Sequence, residues 1–308
     1  MMKERTISQM RQGTWAQKLL AAQNEDGGWG CFHTLSAGAP TTTEQALRRL
    51  EILGFTEDDT CIQKALAYMD AYLGTGTFPN GNEKWDGWSI FCDRALAAWI
   101  CRFTQKNERA NAIADQWADV VTQAFSGGVF DANAYAAAFK NAFDMKPKHG
   151  FENISNFYPV SLLRGRLDAK TDAAVLDYLL NYPGGIYYIC EGALNVPPKE
   201  FQSRHANRYL SALELMSGYL SAPTKLRFAA RWLEDQRSPD GTFDLGPAAR
   251  DMVNLPLSDD RGREGRITDC TYRVERLLRA ISGSETHDLK NGSACSSPIS
   301  MSGLPKRG

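Results

Sequence analysis

Acids, arginines and aromatic residues recur in this chain near the starts of segments with helical periodicity. Glu44, Trp85, Asp86, Trp88, Asp93, Asp131, Asn133, Tyr135, Arg204, His205, Arg208, Asp269, Tyr272 and Arg273 all occupy such places. If these segments are the inner helices of a closed array, their N-terminal ends surround the mouth of a central cavity, where a ligand is expected. Carboxylates beside guanidinium groups and aromatic rings can hold a polar ligand or stabilise a carbocation. Asp93, Asp131, His205 and Asp269 are the candidates for catalysis, and the others for binding. Two carboxylates facing each other across the cavity would instead suit glycoside hydrolysis, with Asp86 or Asp93 opposite Asp131 as the pair. A second account stands beside these: helix starts favour Asp and Asn as caps in any protein, and Arg–carboxylate pairs between helices are often structural. The chain has no P-loop, dinucleotide fingerprint, nucleophile elbow or two-histidine zinc motif.

The elements that must position these residues read as helices throughout. Trp15, Leu19, Leu20 and Ala22 give one apolar face, and the run Asn24 to Gly30 breaks it with three glycines. A second helix starts after Pro40, where Thr41 to Thr43 can cap it, and presents Ala46, Leu47, Leu50 and Leu53. The same hairpin grammar returns in later pairs. These end on the apolar stretch Trp88 to Phe103, the Ala-rich stretch Ala132 to Phe143, a helix from about Phe201 to Tyr219 and one from about Ile267 to Ile281. In each pair one helix is amphipathic and its partner is apolar or small-residue nearly all round. A helix without a polar face is buried, so the partners form an inner ring covered by an outer one. The expectation is an all-α protein, an α/α toroid or barrel of about five or six helical hairpins spanning residues 1–282. The segment Phe151 to Arg166 fits the pattern least. Residues 283–308, rich in Ser, Gly and Pro, read as a disordered tail.

Composition removes several classes of function. The 308 residues are 43% hydrophobic and 23% charged, an ordinary globular balance, and the net charge is -1. Lys and Arg are scattered, without the basic patch that nucleic acid or an anionic membrane requires. No apolar run approaches the roughly 20 residues of a membrane-spanning helix, and Met1 to Gln12 is not a signal peptide. A cytoplasmic location follows as the expectation. The seven cysteines are irregularly spaced and read as reduced core residues.

Two of the loops carry a more specific signal. Gln23-Asn24-Glu25-Asp26-Gly27-Gly28-Trp29 and Gln236-Arg237-Ser238-Pro239-Asp240-Gly241-Thr242-Phe243 resemble the Gln…Asp-Gly-x-Trp/Phe repeat of the squalene–hopene cyclase and protein-prenyltransferase β-subunit superfamily. Weaker copies are Gly127-Gly128-Val129-Phe130 and Gly184-Gly185-Ile186-Tyr187. The resemblance implies an α/α toroid with an isoprenoid or other small apolar ligand in its central cavity. The superfamily also includes non-catalytic ligand-binding members, and fold alone does not choose among them.

Two chemistries of that superfamily can be sought in this chain. Class II cyclases protonate an alkene or epoxide through Asp-x-Asp-Asp. Thr56-Glu57-Asp58-Asp59 is the nearest match, although Thr replaces the first Asp and the stretch also reads as a helix cap. Leu257-Ser258-Asp259-Asp260 is a second partial match among arginines. Prenyltransferases hold zinc with Asp, Cys and His. Asp269, Cys270 and His205 supply those residue types, but Asp269 and Cys270 are adjacent and so point about 100° apart on a helix, and His205 precedes them. The sequence therefore leaves three readings open: a cyclase- or prenyltransferase-like isoprenoid protein, a non-catalytic binding toroid, or a sugar-processing α/α barrel.

Overall fold

One turn, built again and again, organises the chain. In its first copy the backbone leaves a helix, Gly27 adopts φ 96° and donates its N–H to the Asn24 carbonyl at 3.0 Å, and Asn24 in turn donates to the Gly28 carbonyl at 2.9 Å. Only glycine reaches this dihedral without strain, and a Cβ at Gly27 would collide with the Lys64 carbonyl. Asp26 accepts the Gly28 N–H at 2.9 Å, and Gln23 donates to the Gly27 carbonyl at 2.9 Å. The chain then delivers Trp29 into the core, where its backbone N–H bonds Thr43 Oγ1 at 2.8 Å and its indole N–H bonds the Leu19 carbonyl at 2.8 Å.

The last copy repeats its backbone hydrogen bonds. Gly241 has φ 84° and bonds Ser238 at 2.8 Å, Ser238 bonds Thr242 at 2.9 Å, and Asp240 accepts the Thr242 N–H at 3.1 Å. Phe243 is buried, and its N–H bonds Thr271 Oγ1 at 2.9 Å. Arg237 donates to the Gly241 carbonyl at 3.1 Å, so it and not Gln236 takes the place of Gln23. Gly128-Val129-Phe130 and Gly185-Ile186-Tyr187 repeat the left-handed glycine and its bond to the carbonyl three residues back, at 2.8 Å and 3.1 Å. Gly76-Thr77-Phe78, with φ 72° at Gly76 and Phe78 buried, is a further copy of the glycine–aromatic spacing that the motif reading did not find.

This computed structural model describes residues 7–33, 41–78, 86–147, 153–251 and 254–283. Trp85, expected as a ligand contact, and the stretch from 284 onward, expected as a tail, lie outside the described residues. The described residues are all-α. They form α1 Ile7–Gln12, α2 Thr14–Ala21, α3 Thr43–Ile52, α4 Thr60–Tyr72, α5 Trp88–Phe103, α6 Glu108–Ala124 and α7 Ala132–Phe143. There follow α8 Phe157–Leu162, α9 Ala169–Asn181, α10 Arg204–Met216, α11 Ala222–Lys225, α12 Arg227–Asp235, a 3-10 turn Pro247–Ala249 and α13 Arg263–Ser282. The glycine–aromatic turns follow α2, α4, α6, α9 and α12. No strand occurs among the described residues, only the isolated bridges Asn156–Tyr187 and Ile186–Cys190. No helix there is long and apolar enough to cross a membrane.

Helices α3, α5, α8 and α10 have most of their residues buried, and with α13 they are neighbours. Trp99 and Arg102 of α5 bond Glu44 and Glu51 of α3. Helix α5 packs on α8, α8 on α10, and α10 on α13. Arg276 of α13 donates to the Ile52 carbonyl at the end of α3 at 3.3 Å. The two ends of the described chain also meet: Asp259 accepts the backbone N–H groups of Thr14 at 2.6 Å and Trp15 at 2.9 Å, capping α2, and Arg49 bonds the Pro256 carbonyl.

One expectation is corrected here. The Ala-rich helix 132–143 is not a buried inner partner: on α7 only Tyr135, Ala138 and Phe139 are buried, and its first turn is exposed. Helix α7 packs along α6. The helix that packs beside α5 with every residue buried is α8, six residues from the segment whose pattern is least regular. A helix this short shows too little periodicity to declare itself.

Candidate functional site

Helix α3 begins with a capping box: Thr42 accepts the Gln45 N–H at 3.1 Å, and Gln45 accepts the Thr42 N–H at 3.3 Å. This fixes the first turn and turns Glu44 inward, where it is 8% exposed. Its carboxylate takes three side-chain donors: the indole N–H of Trp99 at 3.0 Å, the hydroxyl of Tyr158 at 3.2 Å and the hydroxyl of Tyr188 at 2.5 Å. One turn along α3, Arg48 donates to the Tyr188 hydroxyl at 3.3 Å, and its guanidinium lies 4.9 Å from the centre of the Phe157 ring. Spacing of four residues places Glu44 and Arg48 on one face of the helix.

The tyrosines are delivered by special backbone. The chain at Ile186 doubles back so that its N–H bonds the Cys190 carbonyl at 3.0 Å, while Tyr187 bonds Ser155 at 2.8 Å. Inside this loop Tyr188 has φ 52°, a conformation costly for a bulky residue. Strain of this kind persists where the surroundings impose it, and it clusters at functional sites. Here it leaves Tyr188 40% exposed as a residue while its hydroxyl reaches Glu44. Burial first, and then the Glu44 charge, hold the Tyr158 and Tyr188 hydroxyls well above the ordinary phenol range, so both stay donors. For Arg48 burial works against the charge, yet Tyr188, Glu44 and Tyr158 around it keep its pKa above the usual value.

These groups wall a cavity of about 380 Å³, together with His33, Phe91 and Tyr187. The His33 ring packs at a tilt 4.9 Å from Phe78 and 5.7 Å from Phe91. Two more cavities continue from it. A small one of about 50 Å³ shares Arg48 with the first, and one of about 260 Å³ shares Glu51, Ile52, Arg102 and Glu214 with the small one. Glu44, Arg48, Glu51 and Ile52 are thus one face of α3, lining three successive spaces.

The residues singled out in the sequence separate into three groups. Glu44 belongs to this cluster, and Trp88 is buried beside it, 6.0 Å from His33 and 5.4 Å from Phe91. Tyr272 and Arg273 line the 260 Å³ cavity, where Arg273 pairs with Glu214 at 2.6 Å. The remaining ones have local roles or face solvent. Asp131 caps α7 through the N–H groups of Asn133 and Ala134, at 2.8 Å and 3.1 Å. Asp93 is half-buried and accepts the Gly74 N–H at 2.8 Å; burial raises its pKa, while Gly74 and Arg109 pull it back. Tyr135 packs between Phe130 and Phe139. Asp86, Arg204, His205 and Arg208 are exposed.

Asp269 is fully buried and holds a loop: one carboxylate oxygen accepts the N–H groups of Leu257 at 2.9 Å and Ser258 at 3.1 Å, and the Ser258 hydroxyl at 3.1 Å. Asp93, Asp131, His205 and Asp269 therefore do not converge as a catalytic set, since Asp131 and His205 lie at the surface and Asp269 is sealed within. The zinc reading is corrected for the same reason. His205 is in solvent while Asp269 and Cys270 are interior, burial pushes the Cys270 thiol up to about 12, and no trio of His, Cys, Asp or Glu able to hold a metal occurs among the described residues. The two acidic stretches are structural as well. Asp59 accepts the Thr56 N–H at 2.8 Å ahead of α4 and pairs with Arg11, and Asp259 is the cap of α2.

The residues of this cluster that the sequence did not announce are Arg48, Tyr158, Tyr188 and His33. Arg48 was within reach, four residues after Glu44. Tyr158 and Tyr188 come from the short α8 and from a loop, where neither period nor motif points inward. No protein-family model matches the chain, and neither a curated protein nor a solved structure matches it.

Proposed function

We propose that this chain is a ligand-binding α/α toroid, with the architecture of the squalene–hopene cyclase and prenyltransferase superfamily but without its acid or zinc chemistry. Its mouth, at Glu44, takes a small amphipathic molecule with an apolar, isoprenoid-sized body and a hydroxyl-like polar end. The single observation that carries this reading is the carboxylate of Glu44, buried at a cavity wall and held by three side-chain donors. Such an arrangement fixes an acceptor beside Arg48 and among aromatic rings, which is how specific pockets orient a mostly apolar ligand.

The ring itself is supported by the neighbours of the buried helices: α3 touches α5, α5 touches α8, and the series continues through α10 and α13 back to α3. The five glycine–aromatic turns, each following the outer helix of a hairpin, support it independently. Binding is favoured over catalysis because the carboxylates are already engaged. Glu44 accepts three hydrogen bonds, Asp269 holds a backbone loop and Asp131 caps a helix, so none of these three carboxyl groups is set up as a proton donor.

Calorimetric titration with farnesol tests the reading. Wild type is expected to bind one equivalent, and Arg48→Ala and Tyr188→Ala to bind at least tenfold more weakly, with His205→Ala unchanged. Equal affinity in wild type and Tyr188→Ala would remove the mouth from consideration.

A further inference from the structure

The 260 Å³ cavity has a different chemistry from the mouth. Four arginines line it, Arg102, Arg164, Arg273 and Arg276, against two glutamates, Glu51 and Glu214. Two of the arginines are matched. Arg102 makes a forked pair with Glu51 at 3.0 Å and 2.7 Å, and Arg273 one with Glu214 at 2.6 Å and 2.9 Å. Each glutamate is consumed by its own guanidinium, so four cations less two anions leave two positive charges. Arg276 makes one long bond, to the Ile52 carbonyl at 3.3 Å. Arg164 makes no hydrogen bond or ion pair to a described residue. Its guanidinium lies against the bare backbone of Gly218, where a Cβ would collide with it.

Burial, and then repulsion from Arg102 and Arg276, lowers the Arg164 pKa to about 10. A guanidinium kept this way, beside a second weakly held one, forms a fixed site of excess positive potential in a half-enclosed space. Its geometry is not that of a structural ion pair: the Glu51 charge attracts it without a hydrogen bond, and that carboxylate is already held by Arg102. Planar guanidinium forks suit tetrahedral and planar oxyanions alike, and the charge decides between them: two excess positive charges match the -1.5 to -2 of a phosphate group near neutral pH better than a carboxylate. The volume equals that of about nine waters at roughly 30 Å³ each, enough for such a group with part of its hydration.

We infer that the cavity between Arg164 and Arg276 is a binding site for a phosphate-type oxyanion, either free phosphate or the phosphate of a small monoester. Arg164 and Arg276 are its anchoring cations, and Arg102 and Arg273 its paired walls. The absence of a side chain at Gly218 makes the room in which Arg164 stands. This site goes beyond the reading of the mouth and does not depend on it, since Glu44 and Tyr188 do not line this cavity.

Titration calorimetry of the full chain with inorganic phosphate, methyl phosphate and acetate, at constant low ionic strength in chloride, tests the proposal. Wild type is expected to bind one phosphate saturably, with Arg164→Gln and Arg276→Gln each at least tenfold weaker and Glu44→Gln unchanged. Methyl phosphate binding alongside phosphate identifies a monoester site, and its failure where phosphate binds identifies a site for the free ion. Gly218→Ala keeps every charge but displaces Arg164, and is expected to weaken phosphate in the same direction. In phosphate-free buffer Arg164→Gln should melt no lower than wild type, because it removes a repelled cation; this separates loss of a site from loss of the fold. The proposal is overturned by no saturable phosphate binding, by equal affinity in wild type and Arg164→Gln, or by acetate binding as tightly as phosphate.

Discussion

Glu44 of α3 and Asp269 of α13 are both buried acids, and each accepts hydrogen bonds from three donor groups, yet they do opposite things. The donors to Asp269 are two backbone N–H groups and the hydroxyl of Ser258, all from one loop of its own chain region. The donors to Glu44 are side chains from three separate segments, Trp99, Tyr158 and Tyr188, and the carboxylate they hold borders open space. Backbone donors make a carboxylate a clasp for the fold. Side-chain donors gathered across the structure make it part of a wall that a ligand can meet. Both are buried carboxylates, and it is the origin of the donors that tells them apart.

The contrast can be broken by substitution. Asp269→Ala should be the most damaging change, costing about 3–5 kcal/mol as measured by urea unfolding, because it strips a buried loop of its acceptor and leaves the guanidinium of Arg49 without its nearby charge. The twin turns come next. Gly27→Ala must both enter a left-handed dihedral and push the Lys64 carbonyl, whereas Gly241→Ala meets nothing within 4 Å. The second should cost about 1–2 kcal/mol from the dihedral alone, and the first clearly more; equal losses would show that the two copies are not held alike.

Glu44→Gln is expected to cost about 1–3 kcal/mol, because its amide nitrogen faces a donor, and to abolish the response to ligand. Tyr188→Phe, which removes one hydroxyl, should cost about 1 kcal/mol and weaken ligand binding without changing the helix content by circular dichroism. The smallest effect belongs to Cys270. Burial lifts its thiol from 9.0 to about 12, so the folded protein keeps a proton that the unfolded chain gives up. Its contribution to stability is therefore whole below pH 9 and declines as pH rises from about 9 toward 12. Iodoacetamide at pH 8 should leave Cys270 unmodified until the chain is unfolded, and rapid labelling of the folded protein would contradict its placement.

Much of the helical order was legible, and for definite reasons. Trp88–Phe103 announced a buried helix because it lacks a polar face, and the Gln23 and Gln236 loops announced equivalent turns because their glycine, aspartate and aromatic spacings are set by the turn itself. The fine register was not: Arg237 takes the role of Gln23, since a guanidinium reaches the same carbonyl as an amide. Ala132–Phe143 misled, because alanine marks close helix contact without saying on which side of a hairpin it occurs. At the site, Glu44 was visible as a first-turn acid, but the same signal marked Asp131, which is only a cap. What distinguishes them, the convergence of Tyr158 and Tyr188, depends on a six-residue helix and a strained loop that only the folded chain brings together.

The most direct test of the claim that Glu44 lines a binding mouth while Asp269 serves the fold is the thermal shift produced by saturating farnesol in wild type, Glu44→Gln and Asp269→Asn. The account predicts that Asp269→Asn melts well below wild type in the absence of ligand but is raised by farnesol to the same extent, whereas Glu44→Gln is not raised at all. A farnesol shift that persists in Glu44→Gln, or is missing from wild type, would contradict it.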